Sequence, residues 1–334
     1  EYGLSLRKPN RKYKVQRAVM AERLAVAWLN VARVRAACLA LKGYDPHLGN
    51  WDQSPFHHNE TGSANTPTLA VAGLEVPLVE GHSDTRQRWT ANLTTFSDHG
   101  RLHAQGPPYL ECMFKADGEK ILRRLQEHIR SRGYGKWVSV ATSQKGSYRT
   151  DDVLRFLECH LPQLRPEDDA RAWRIMMADD HKPHLSPHVR RLLWQRGYVF
   201  IPHGGGVTPV AQTVDTDLNA PVKAEYCAEE AMRLIRQMSD GAAVPKLSHE
   251  DCIDIMVAVL QDMTLHHVAA DGYVKTGLRV SLDDSQHDQF ICREAAVFWK
   301  ELDMRRKINA AVAEVREEVA AKRLTWCFND IQRL

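Results

Sequence analysis

The sequence predicts an α/β protein with one long helix before the sheet and a helical region after it. Three observations carry this. Residues 174 to 201 read strand, helix, strand; several short apolar or alternating runs lie between residues 48 and 142; and the chain after residue 223 keeps a helical period throughout. The first is the most explicit. RIMMA is an apolar run, Ser186 is a helix N-cap, Pro187 falls at the first helical position, and Gly197 follows the last turn before YVFI. Pro is tolerated at the first helical position because its missing N–H would have no helical partner there. A β-α-β unit of this length implies parallel strands.

The elements follow in chain order. Residues 16 to 42 have the composition of a long helix, with Gly43 as a C-terminal cap. LGNWDQSPF reads as a short strand broken by Pro55, and NETGSANTP as a loop. TLAVAG, EVPLVEG and RWTANLTTF read as strands. In the last of these, Trp89, Ala91 and Leu93 alternate with polar residues, the pattern of a half-buried strand. Asp98-His99-Gly100 reads as a turn. Residues 118 to 132 read as a helix ending at Gly133, WVSVAT as a strand, and Thr150 as the cap of a helix reaching about His160. Residues 162 to 170 form a polar loop. Further on, Ser248 with Asp251 resembles a capping box, and Ile308, Val312, Val315 and Val319 share one face of the last helix, a packing stripe. The chain divides at these transitions into residues 1–44 (basic arm and long helix), 45–225 (sheet domain) and 226–334 (helical region).

Composition narrows the function classes. The chain has 334 residues, 43% hydrophobic and 26% charged, ordinary for a globular protein. No uninterrupted apolar run approaches the roughly 18 residues of a membrane span, so no membrane partner is expected. No signal peptide is evident, and a chain beginning at Glu1 is expected to lack its natural N-terminus. The seven cysteines are scattered and never spaced C-x-x-C, which favours reduced thiols in an intracellular protein over disulfides or a cysteine zinc site. Net charge is only +3, but it is uneven: residues 1 to 35 hold nine Lys/Arg against Glu1 and Glu22. Such an arm suits a polyanion; a solvated arm is the alternative. Arg7, Lys8, Arg11, Lys12 and Lys14 are its candidate DNA contacts.

The apolar run RIMMA ends in two adjacent acids, Asp179 and Asp180. Ligands of parallel sheets gather at the carboxyl ends of the strands. Two further segments put an acid just after an apolar residue at the edge of an element: NWDQSPF with Asp52 and TPVAQTVDTDLNAPVK with Asp215. Phosphodiester hydrolysis or transfer uses two divalent ions that activate the attacking oxygen and stabilise the leaving one. Hard cations take carboxylate oxygens. Three carboxylates from distant segments are the minimal protein contribution.

On these residues the chain resembles the DDE superfamily endonuclease domain of pogo/Tc1-type transposases. That family shows N-x-D-E-[ST]-P around its first acid, and here the run is Asn50-Trp51-Asp52-Gln53-Ser54-Pro55. Around the second it shows an apolar run and then D-x-x-x-x-H, which Asp179 and His184 fit. Around the third it shows Q-P-L-D-x-x-x-N-x-x-x-K, which Gln212, Asp215, Asn219 and Lys223 match. Asp179 and Asp215 lie 36 residues apart, within the family's usual range. The likeness covers about residues 45 to 225. It implies an RNase H-like fold, a mixed five-stranded sheet flanked by helices. It also implies DNA cleavage and strand transfer with two Mg²⁺ or Mn²⁺ ions on Asp52, Asp179 and Asp215, DNA as partner, a homodimer as an option, and nuclear localisation. Asp180, His184 and Asp217 are secondary candidates, with Asp179 favoured over Asp180 because Asp180 falls on a variable family position.

The sequence departs from the family at Gln53, where an acid is usual, and at Thr213-Val214, where Pro-Leu is usual. The family's N-terminal helix-turn-helix is not evident, so it lies upstream or has been lost. His57 and His58 read as a polar loop rather than ligands. His181, His184 and His188 do not line one helical face, because Pro187 starts the helix after the first two; this argues against zinc. Gly204-Gly205-Gly206 lacks the Lys and helix of a P-loop and reads as a flexible loop. Arg86 and Arg88 either hold DNA phosphates or line a solvated strand. Lys145, Ser147 and Tyr148 lie in a polar loop after a strand. The leading expectation is a DNA transposase or transposase-derived endonuclease. The alternatives are a domesticated DNA-binding or chromatin protein that kept the fold without catalysis, and another RNase H-like nuclease acting on hybrids or junctions.

Overall fold

The structure is a computed structural model. It describes residues 15–57, 88–97, 109–116, 118–144, 146, 148–159, 161, 173–240, 246–262, 271–283 and 286–321. The loop expected at 59–67, the strands TLAVAG and EVPLVEG, the turn at Asp98, the loop at 162–170, and Lys145 and Ser147 lie outside these residues.

Six strands form one sheet in the order β4-β3-β2-β1-β5-β6. They are β1 (Leu48–His57), β2 (Arg88–Phe96), β3 (Tyr109–Lys115), β4 (Val138–Ser143), β5 (Arg174–Asp179) and β6 (Tyr198–His203). β1, β2 and β3 are an antiparallel meander, whereas β5 pairs parallel to β1 and β6 parallel to β5. This is the mixed, helix-flanked RNase H-like arrangement that the resemblance implied, with one strand more. β4, parallel to β3, extends the far edge.

Two expected strand features change. β1 does not break at Pro55 but runs on to His57, so His57 is a strand residue opposite Arg88. β5 pairs with β1 only at Leu48–Asn50. Beyond that point β1 has one open edge, where a proline costs no ladder bond. β2 is buried almost throughout instead of on one face. Asn92, Thr94 and Thr95 are 1–3% exposed because helices cover both faces of the sheet.

Strand alternation divides the core. Met176, Ala178, Tyr198 and Phe200 belong to one cluster; Ile175, Met177, Val199 and Ile201, the intervening residues, belong to the other. The first face is covered by α2 (Glu119–Ser131), α3 (Thr150–Cys159), α4 (Pro187–Gln195), α6 (Asn219–Ser239) and α7 (His249–Asp262). The second is covered by α1 (Arg17–Lys42), the short α5 (Thr208–Ala211), α8 (Arg293–Glu301) and α9 (Met304–Ala320). α3 starts one residue earlier in register than its expected cap. Val153 N–H already bonds Arg149 O, and Asp152 accepts the Arg149 N–H, so Thr150 is the first helical residue. The Ser248–Asp251 capping box forms reciprocally at 2.9 and 3.1 Å.

α1 ends at Gly43, whose φ of 76° and N–H bond to Leu39 O are those of a left-handed cap. By length and composition alone it is apolar enough to cross a membrane, contrary to the sequence expectation. Its inward apolar residues are taken up by protein, while Val26, Leu39 and Leu41 stay exposed. Met20, Leu24 and Val31 are at 0% exposure, and each such burial contributes roughly 1.5–3 kcal/mol. Ile308, Val312 and Val315 of α9 are buried in the same cluster, as the stripe predicted. Arg35 is buried within α1 and held by Asp45 at 2.8 and 2.6 Å and by the Val280 carbonyl at 2.7 Å.

The C-terminal region also touches the turn that leads into α6. A Cβ on Gly272 would stand 2.5 Å from Thr213 Cγ2 and 3.1 Å from Asp217 Oδ2. Only glycine permits this approach.

Candidate active site at the strand ends

Asp179 and His203 end β5 and β6, and Asp52 lies level with them midway along the longer β1. Asp52 lies two residues past the Asn50–Met177 pair, Asp179 two past the same pair on β5, and His203 is paired with Asp179. By alternation they continue the face of Leu48, Met177 and Ile201. Asp215 comes from a different kind of element. Residues Val214–Leu218 form a five-residue π-helical turn between α5 and α6, closed by the Asn219 N–H on Val214 O. Such turns interrupt regular helices and are frequent at functional sites.

Two of the three predicted acids meet. Asn219 Nδ2 donates to Asp52 at 3.0 Å and to Asp215 at 2.5 Å, so one amide lies between two carboxylates. Burial, and then the charge of Asp52, push the Asp215 carboxyl up to about 7. Asp215, Asn219 and Lys223 are spaced by four, a single helical stripe. Lys223 opposes the shift on Asp215 and lies 5.7 Å over the Phe56 ring.

Asp179 is turned to another partner. It receives His184 Nδ1 at 2.7 Å and the His181 N–H at 3.2 Å. Burial, the largest single influence, raises its carboxyl; the His184 contact, the His181 N–H and His203 together outweigh it and hold Asp179 below the usual carboxylate range. His184 is 2% exposed and its Nε2 faces Trp51 Nε1 at 3.3 Å and Gln53 Nε2 at 3.2 Å. Both of those are N–H donors, so Nε2 accepts and the proton sits on Nδ1, toward Asp179. Gln53, the departure from the family pattern, thereby adds a second N–H donor beside Trp51 at this ring nitrogen.

The secondary candidates separate cleanly. Asp180 accepts the Gly205 N–H at 2.7 Å, and Arg23 bonds the Gly205 carbonyl. The glycine turn is therefore tied to β5 and α1 rather than free, as its composition suggested. Asp217 is held by Thr216 Oγ1 at 2.7 Å and by Lys275 at 3.4 Å, away from Asp52. Of the basic candidates, Arg88 is exposed and described, five residues along β2 from the partner of Asp52, or about 17 Å at strand spacing. Arg7, Lys8, Arg11, Lys12, Lys14 and Arg86 lie outside the described residues, as does His58. The other four cations of the N-terminal stretch are engaged in the fold: Arg17 with Glu301, Arg23 with Gly205, Arg33 with Glu314 and Arg35 with Asp45.

His203 is not singled out by the sequence motifs, though its period-two spacing from Val199 and Ile201 is the signal that finds it. It is fully buried, and neither ring nitrogen has a partner among the described residues. Burial pushes its imidazole down to about 4, against the opposing charges of Asp179 and Asp52. Gln212, Thr213 Oγ1 and Asn219 Oδ1 are likewise buried and unpartnered among the described residues. Among those residues, no three His, Cys, Asp or Glu side chains are already gathered as a metal cluster. The donor set nonetheless fits a hard cation at the Asp52–Asp215 pair. Two facing carboxylates, one of them forced toward protonation, lack a balancing charge between them, and oxygen donors stand beside them on the same turn.

Fold and site together define an RNase H-like sheet protein with carboxylates on two adjacent inner strands, β1 and β5, and on the turn before α6. No protein-family model matches the sequence, and no curated protein matches it either. Among solved structures it is similar to the Mos1 mariner paired end complex with Mn, at 14% identity and a TM-score of 0.39 over 83% of this chain and 65% of that one. It is similar also to the Mos1 strand transfer complex, at 13% and 0.37 over 83% and 64%. The catalytic domain of Mos1 mariner transposase matches at 12% and 0.30 over 80% and 98%. The chain thus spans less than two thirds of the length of the transposase chains in the first two. Likenesses this distant carry no argument for this chain, whose fold and chemistry rest on its own residues.

Proposed function

We propose that this chain is a transposase or transposase-derived endonuclease of the pogo/Tc1 kind, cutting DNA phosphodiesters with divalent metal. The observation that carries the reading is the meeting of Asp52 and Asp215 across Asn219, with Asp179 at the adjoining strand end. Asp52 and Asp215 would hold one Mg²⁺ or Mn²⁺ ion, and Asp179 would complete the set for a second. A bound ion of this type supplies a nucleophilic oxygen at neutral pH and neutralises charge on the phosphate. The protein's own part is positional. Asn219 spaces two carboxylates, His184 orients the third, and Lys223 brings a cation toward the mouth of the site. Asn219 Oδ1, buried on the same turn, would offer a further oxygen. DNA as partner, work in the nucleus and a homodimeric assembly belong to the same reading.

A second reading has its own support: Asp179 is engaged by His184, and no three-ligand cluster is preformed among the described residues. It is a domesticated DNA-binding protein that kept the fold and not the chemistry. Nicking of supercoiled plasmid in Mg²⁺ and Mn²⁺ separates the two. The nuclease reading expects cleavage by the native chain, loss to background in Asp52→Ala, Asp179→Ala and Asp215→Ala, and survival in Asp180→Ala and Asp217→Ala. DNA binding without any cleavage puts the second reading first.

A further inference from the structure

We infer that Asn50 is the positioning residue that fixes the three acid-bearing segments relative to one another. The inference rests on the metal-nuclease reading for its purpose but on hydrogen bonds for its geometry. Asn50 is 1% exposed on β1, two residues before Asp52. Its Nδ2 donates to the Met177 carbonyl at 3.1 Å, two residues before Asp179. Its Oδ1 accepts the Val214 N–H at 3.0 Å, one residue before Asp215. One side chain therefore touches all three segments.

The need for it follows from where the sheet stops. Backbone pairing between β1 and β5 covers only Leu48 to Asn50, so the ladder ends just short of the acids. The turn carrying Asp215 has no strand partner at all. Val214 is fully buried, and its N–H opens a π-helical turn, where a backbone donor has no preceding helical acceptor. Left unmet, that buried donor would cost about 1–3 kcal/mol. An amide is the side chain that offers a donor to one neighbour and an acceptor to the other. A carboxylate lacks the donor, and an aliphatic residue of similar size lacks both.

The test uses the whole chain and two readouts: amide hydrogen exchange without metal, and calorimetric titration with MnCl₂. Asn50→Ala is expected to speed exchange across residues 213–219 on the order of tenfold or more while leaving Ala91, Leu93 and Cys112 on β2 and β3 unchanged. It is also expected to weaken Mn²⁺ binding at least tenfold. Asn50→Asp keeps the acceptor for Val214 and loses the donor for Met177, so its exchange should rise at 178–180 and not at 213–219. Tyr148→Phe, which removes a hydroxyl bonded to the buried Glu111 at 2.8 Å elsewhere in the sheet, should move neither readout. Exchange that is unchanged, or raised evenly over the sheet, in Asn50→Ala overturns the inference. Should Asn50→Ala fail to fold, the segment-selective exchange of Asn50→Asp decides in its place. Should the native chain take up no Mn²⁺, the metal reading falls, and the exchange pattern alone upholds or overturns the role of Asn50.

Discussion

Asp215 faces Asp52 across a single side-chain amide, with Asn219 Nδ2 at 2.5 Å from one and 3.0 Å from the other. Two carboxylates so placed favour either a shared proton or a shared cation, and this has measurable consequences for stability.

Without metal, Asp215 takes up a proton at a pH where an unfolded aspartate is already ionised, because its folded carboxyl is pushed up to about 7. The folded state then binds more protons than the unfolded state between the ordinary carboxylate range, near 4, and about 7. Stability should therefore fall as pH rises through that window. Asp215→Asn removes the titration, so thermal melts in EDTA from pH 5 to pH 8 should show a flatter profile and a higher Tm than the native chain at pH 8. A native profile no steeper than that of Asp215→Asn would contradict the coupling. Added Mn²⁺ should raise the native Tm at pH 8 and leave that of the variant nearly unchanged.

Gln53 and Trp51 both point N–H groups at His184 Nε2. Ring ¹⁵N chemical shifts of the native protein at neutral pH should report a bare Nε2 and a protonated Nδ1. Gln53→Glu replaces one of the two donors with an acceptor and should shift the Nε2 resonance. Native shifts typical of the opposite tautomer would remove the donor role assigned to Gln53.

Gly272 permits the approach of the C-terminal region to the 213–217 turn. Gly272→Ala should destabilise the chain by about 1–3 kcal/mol in urea titration, the usual cost of forcing atoms into a filled space. Its Mn²⁺ affinity should fall as well, since the displaced atoms belong to the turn that carries Asp215. Loss of stability with unchanged affinity would show that the turn gives way without moving the acid.

The five cations at Arg7, Lys8, Arg11, Lys12 and Lys14 should supply most of the salt dependence of DNA binding. Each phosphate contact contributes about 0.9 to the slope of log K against log salt. Removing residues 1–14 should lower the magnitude of that slope by up to about 4.5, measured by fluorescence anisotropy on duplex DNA between about 50 and 300 mM salt. A slope unchanged by the truncation would assign binding to the folded surface instead. There Arg17, Arg23, Arg33 and Arg35 already have partners within the protein.

Sequence signals held where they were themselves local. The β-α-β unit around Pro187, the α1 cap at Gly43, the Ser248–Asp251 box and the stripe at Ile308, Val312 and Val315 all depend on neighbours within a few residues, and each is present. They failed where a residue's state depends on what lies across the sheet. Pro55 looked like a strand breaker because the open edge beside it is set by where β5 stops. β2 looked half-buried because its polar Asn92 and Thr94 gave no sign of the second helical layer. His203 is an ordinary histidine in sequence and a buried, unpartnered imidazole only beside Asp179 and among the described residues.

What the sequence by itself determined is the long first helix, the β-α-β unit, the helical C-terminal region and the three acid-bearing segments, because periodicity and capping are properties of short stretches; β3 at Tyr109–Lys115 and the second helical layer over β2 were not read from it. Which of those acids meet was decided by tertiary structure alone. Asp52 and Asp215 are brought together, Asp179 is given to His184, Asp180 to Gly205 and Asp217 to Lys275. The physical reason is that a carboxylate's role is fixed by its nearest donor or charge within a few ångströms, and most of those neighbours come from segments tens to more than a hundred residues away in the chain.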